Sequence, residues 1–67
     1  MTTGTKVKIL KGYGYTDITS GIDKFRRADD STVGTITAIA SRQQIYITLD
    51  DGRKVVTDKN CLLTQEG

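Results

Sequence analysis

Histidine, proline and tryptophan are absent from this chain, and cysteine and phenylalanine occur once each. Each absence closes off a class of function. Without His, the commonest general base and the commonest protein metal ligand are both missing. With Cys61 as the only thiol, neither an intrachain disulfide nor a Cys-rich metal site can form, and a reducing, cytoplasmic setting fits. No segment approaches the ~20 apolar residues that a membrane span needs, and Met1 is followed by Thr and Gly rather than by an apolar leader. No nucleophile–base pair, metal constellation or phosphate-cradling glycine loop is visible. The expectation is a chain that is no enzyme, with no catalytic residue, no metal and no cofactor.

What is present describes one small domain spanning residues 1–67. Such a chain buries only about 60% of the surface its unfolded form exposes, so a shared subunit surface would help it, and a homo-oligomer is one expectation. Ten Lys and Arg stand against eight Asp and Glu, a net charge of +2. That balance permits a nucleic-acid partner only if the basic residues share a face.

The strand signals are strong. Lys6-Val7-Lys8-Ile9 alternates polar and apolar with period two, which turns Val7 and Ile9 toward a core. Thr32 to Ala40 is rich in Thr, Val and Ile, residues that fit a pleated, half-buried surface. Ile45 to Leu49 alternates cleanly and runs into Asp50-Asp51-Gly52, where Asp-Gly supplies the positive φ angles of a hairpin turn. Arg53 to Thr57 is the returning strand. A single turn capped by Asp58 and a short last strand, Leu62-Leu63-Thr64, complete the series. Cys61 reads as a small core residue.

Residues 12–31 break this rhythm, because a stretch of that length far exceeds the usual connection of about 2–6 residues. Ile18, Ile22 and Phe25 can anchor it, so it is expected to be an ordered excursion with a small hairpin of its own around Ser20-Gly21.

A short strand, a long loop, three strands in meander, a single turn and a last short strand resemble the SH3-like barrel, whose RT loop corresponds to residues 12–31. Val33-Gly34-Thr35-Ile36-Thr37-Ala38-Ile39 also looks like the KOW motif, in which Gly lets the chain bend where a side chain would clash. The resemblance implies an all-β fold, a five-stranded SH3-like barrel with a long loop after its first strand, and RNA or ribosome contacts of the KOW kind. Gln44-Ile45-Tyr46 is similar to the Val-Gln-Ile-Tyr strand of the plasmid-borne dihydrofolate reductase of trimethoprim resistance. It precedes the Asp-Gly turn, however, whereas the enzyme's motif follows the corresponding turn, so no activity is carried over.

The candidate binding residues lie in or near the long loop. Lys24, Phe25, Arg26 and Arg27 interleave an aromatic with cations, as stacking on a base and pairing with phosphates would require. Against that, Phe25 can serve only to dock the loop, and Asp29 and Asp30 offset the charge. Tyr13 and Tyr15 are bracketed by glycines, which lets the backbone approach a partner while the rings supply contact area; one ring could instead cover the end of a barrel. Tyr46 is an outward aromatic on the third core strand. Lys6 and Lys8, with Lys11, Arg42, Arg53 and Lys54, could track phosphates or merely protect an exposed edge strand. These residues suggest a nucleic-acid-binding module, for RNA or DNA. The alternatives are a phage- or plasmid-type module that binds or inhibits a host protein, and an oligomeric barrel that sequesters a nucleotide-like ligand.

Overall fold

The computed structural model describes residues 2–29 and 32–64, so the parts of the expected domain at residues 1, 30–31 and 65–67, Asp30 included, lie outside the described residues. Period-two alternation is realised in β1 (Lys6–Ile9), where Val7 and Ile9 are buried and Lys6 is exposed. The meander forms as β4 (Val33–Ser41), β5 (Gln44–Leu49) and β6 (Lys54–Thr57), with all pairs antiparallel. Ile45, Ile47 and Leu49 all point inward from β5.

The Asp50-Asp51-Gly52 turn joins β5 to β6, and Gly52 alone in it carries a positive φ, of 94°. The Leu49 N–H donates to the Arg53 carbonyl at 2.7 Å, and the Gly52 N–H donates to the Leu49 carbonyl at 2.9 Å. This is a three-residue loop with glycine in the left-handed position, rather than the two-residue turn that would need positive φ at Asp51 as well. After β6, Asp58 accepts the Asn60 N–H at 2.8 Å and caps a single 3-10 turn, Lys59–Cys61. The chain closes with β7 (Leu62–Thr64), paired on β1.

Residues 12–31 form the hairpin expected around Ser20-Gly21, but it does not stay apart as a loop. They hold two strands, β2 (Gly14–Asp17) and β3 (Lys24–Arg27), joined as a hairpin around Ser20-Gly21. β2 then pairs with β6 through Thr16↔Val56 and Asp17↔Val55. The result is one seven-stranded antiparallel sheet in the order β3-β2-β6-β5-β4-β1-β7. The expected five-stranded closed barrel is therefore corrected. The long loop contributes two strands to the sheet, and among the described residues no ladder joins β3 to β7, so the sheet stays open.

The anchors of the hairpin also differ. Ile22 and Phe25 are exposed and Ile18 is half-buried, whereas Tyr15 and Ala28 enter the core and Asp17 is buried beside them. The core comprises Val7, Ile9, Tyr15, Ala28, Ile36, Ile45, Ile47, Leu49 and Val55, with Cys61 and Leu62 packed against it. Gly34 on β4 pairs with Val7 on one side and Leu49 on the other. A Cβ there would sit 2.5 Å from the Thr48 carbonyl oxygen, so only glycine lets β4 serve both neighbours.

β1 lies between β4 and β7, so its lysines do not guard an edge; Lys6 instead reaches Asp50, with Nζ 3.0 Å from Oδ1. No helix among the described residues is long and apolar enough to cross a membrane.

Candidate functional site

Alternation along five strands builds one continuous row on the face turned away from the core. Phe25 stands opposite Thr16, Thr16 opposite Val56, Val56 opposite Tyr46, and Tyr46 opposite Ala38. Neighbouring strands are about 4.8 Å apart, so the backbones of Phe25 and Tyr46 are separated by about 14 Å, with Thr16 and Val56 as the floor between them. A cavity of about 630 Å³ lies over this floor, and Phe25, Tyr46, Asp23 and Asp58 are among the residues that line it.

Two smaller cavities, each of about 250 Å³, extend it in opposite directions. One shares Ile18 and Tyr46 with the large cavity and reaches Lys54. The other shares Gln43 and Asp58 and reaches Arg42, Lys59 and Asn60. Together they form a trough that follows the chain from Lys54 to Asn60. The β2–β3 hairpin is one wall and the β4–β5 hairpin is the other. At about 3.3 Å per strand residue and 2 Å per 3-10 residue the trough is roughly 20 Å long, the span of about six extended residues.

Phe25 is 72% exposed even though it is the only Phe in the chain. Its ring lies over Gly14 on the adjacent strand, where any Cβ would collide with it. Glycine at 14 thus sets how low the ring lies on the wall of the trough. Tyr46 is half-buried on the opposite side. The Thr57 hydroxyl donates to the Gly14 carbonyl at 3.1 Å and ties β6 to the hairpin beyond the end of their ladder.

The remaining residues expected to form the site are dispersed. Lys24-Phe25-Arg26-Arg27 is a strand, so its side chains alternate between faces. Phe25 and Arg27 face the trough side, whereas Lys24 and Arg26 lie with Asp17 and Tyr15 on the other. Arg26 Nε is 3.4 Å from Asp17 Oδ2, and Arg27 Nη1 donates to the Gly12 carbonyl at 3.2 Å. The run therefore presents no single basic-aromatic platform. Tyr15 is 4% exposed, with its hydroxyl 3.5 Å from Arg53 Nη1, and it serves the core rather than a free surface. Tyr13 is exposed just before β2, and its N–H donates to the Leu10 carbonyl at 3.1 Å; it does not line the trough.

Two carboxylates near the hairpin and the turn are held below the ordinary value. Asp17 is lowered chiefly by the Thr19 backbone N–H, 2.9 Å from Oδ1, then by the Thr19 hydroxyl, with the charges of Arg26 and Arg53 adding and desolvation opposing. Asp51 is lowered chiefly by the Arg53 backbone N–H at 3.0 Å, with desolvation opposing. Among the described residues no three His, Cys, Asp or Glu side chains are grouped to hold a metal.

Thr16, Asp23, Val56 and Asp58 enter the site without having been expected there. Val55-Val56 carried a usable signal, since two successive valines in a strand cannot both face one core. Asp58 was legible only as a cap. Compared with known protein families, curated proteins and solved structures, the chain matches none.

Proposed function

We propose that this domain is a protein-interaction module, its fold an opened variant of the SH3-like barrel, and that it holds an extended segment of a partner protein in the trough along β6. The observation that carries this reading is the exposed Phe25 ring facing Tyr46 across a floor of Thr16 and Val56. Aromatic anchors are among the groups that dominate interface energetics. The length of the trough suits an extended chain rather than a compact ligand. The lining of the large cavity includes Asp23 and Asp58 but no Lys or Arg, which disfavours a phosphate backbone at that place.

A second reading, nucleic-acid binding, draws on the same Phe25 together with the exposed cations Lys24, Arg26 and Arg27 on β3. There the ring would stack on a base and the cations would follow the phosphates along the edge strand.

The two readings part in one experiment. A random heptapeptide library displayed on phage is selected against the whole domain, in parallel with the Val56→Arg variant, whose new side chain fills the floor, and with Phe25→Ala. Peptides that bind the parent domain and neither variant, with both variants folded by circular dichroism, are the expected result. Selection of no peptide, or of peptides that bind Val56→Arg equally well, would remove the protein-interaction reading.

A further inference from the structure

Charge is ordered along the trough. Lys54 stands at the end where β6 begins. Asp23, from the turn of the β2–β3 hairpin, and Asp58, just beyond β6, line the central cavity. Arg42 and Lys59 line the far end. Among the residues that line the three cavities the sequence of signs is positive, negative, positive; Arg27, on the same face of β3, lines none of them and donates to the Gly12 carbonyl.

Asp58 gives one carboxylate oxygen to the Asn60 N–H at 2.8 Å, and among the described residues neither Asp23 nor Asp58 forms an ion pair with Lys or Arg. Two Asp residues without an ion pair thus line a cavity whose other walls include Phe25 and Tyr46. A cation is attracted both by carboxylates and by the face of an aromatic ring. The cations at the two ends act oppositely, because they repel basic flanks and attract acidic ones.

Resting on the peptide-binding reading above, we infer that the trough selects a partner segment with a central Lys or Arg, seated between Asp23 and Asp58, and with acidic residues on its flanks that meet Lys54 at one end and Arg42 and Lys59 at the other. Lys54 and Asp58 are four residues apart along the floor, about 13 Å at strand rise, so an acidic residue is expected about three or four places from the central cation. The pattern discriminates twice. A polybasic segment matches the centre and is repelled at both ends, while an acidic segment matches the ends and is repelled at the centre.

The test reads the charge pattern of the heptapeptides selected from the phage library. Selected peptides should be enriched in Lys or Arg, with Asp or Glu three or four positions away. A synthetic, fluorescein-labelled copy of one such peptide should lose affinity by about fivefold for each carboxylate removed in Asp23→Asn and Asp58→Asn. Asn at residue 58 keeps the cap of the 3-10 turn, so loss of binding there is not loss of fold. A copy of the peptide with Gln in place of its central cation should bind the parent domain and the double variant Asp23→Asn with Asp58→Asn alike.

Peptides that are lost on Val56→Arg yet show no such charge order, or that bind the double variant unchanged, would overturn this inference and leave the peptide trough standing. Failure to select any peptide, or binding that survives Val56→Arg, would overturn both.

Discussion

The Phe25 ring lies across Gly14 on the neighbouring strand, so closely that no side chain fits beneath it. Gly14→Ala should therefore push the ring outward and change the width of the trough. Peptide affinity should fall about as far as in Phe25→Ala, by 1 kcal/mol or more in the manner of an interface anchor. Phe25→Ala itself should change stability by only about 0.5 kcal/mol, because the ring is largely in solvent. Fluorescence anisotropy on a selected peptide, beside urea unfolding of each variant, checks both statements. A large stability loss in Phe25→Ala would return that residue to the role of a loop anchor.

Ile47 is buried on β5, opposite Ile36 on β4 and Val55 on β6. Ile47→Ala should cost about 2–5 kcal/mol, most of the margin available to so small a core. Chemical denaturation should show an earlier midpoint or a chain unfolded in buffer. An unchanged midpoint would contradict the burial of this side chain.

Asp17 is held below its ordinary value of 3.8 chiefly by the Thr19 N–H. The unfolded chain binds a proton there at higher pH than the folded one does. Asp17 thus contributes stability that is present above the unfolded value and lost as pH falls through the lowered folded value. Asp17→Asn should flatten that part of the acid limb and leave the neutral-pH shape of the curve alone. Thermal melts between neutral pH and about pH 2 would show it; an acid limb identical in the two proteins would assign the pH dependence to other carboxylates.

Nucleic acid is expected to bind weakly and without the trough. With Phe25 and the basic residues of β3 divided between two faces, any affinity should be electrostatic and should fall steeply with salt. Arg26→Ala with Arg27→Ala should flatten that slope, while Val56→Arg, which adds a cation, should not weaken binding. Tight binding near physiological salt that Val56→Arg abolishes would place nucleic acid in the trough and reverse the preference between the two readings.

Much of the sheet was legible in the sequence, because period two is a local signal. Val7, Ile9, Ile45, Ile47 and Leu49 fall on the buried side as their alternation requires. Asp50-Asp51-Gly52 marks its own turn, and Asp58 its own cap. The β2–β3 hairpin was half legible: Ser20-Gly21 marks its reversal, but Gly14-Tyr15-Thr16-Asp17 carries one apolar residue in four, and its partner on β6 is some forty positions away. Nothing local says that β2 continues the sheet. The site was harder still, since Phe25, Val56 and Tyr46 come together only through three ladders that join four strands. The run Lys24-Phe25-Arg26-Arg27 reads as one patch in one dimension and as two faces once it is a strand.

All four side chains of β3 are exposed, and none belongs to the buried core. The hairpin is held to the rest of the sheet through β2 instead, by its two-pair ladder with β6, by the Ile18 N–H donating to the Lys54 carbonyl at 2.9 Å, and by Tyr15 in the core. On the proposed reading, the positions of β3 that would meet a partner are separate from those that hold the core. Substitutions in β3 and in the turn before it can accumulate at little thermodynamic penalty, so a lineage of such domains could exchange one partner for another while inheriting the same interior. The turn and β3 are, in that sense, an interchangeable cassette carried on β2, and diversity among descendants of this chain should concentrate between Ile18 and Arg27.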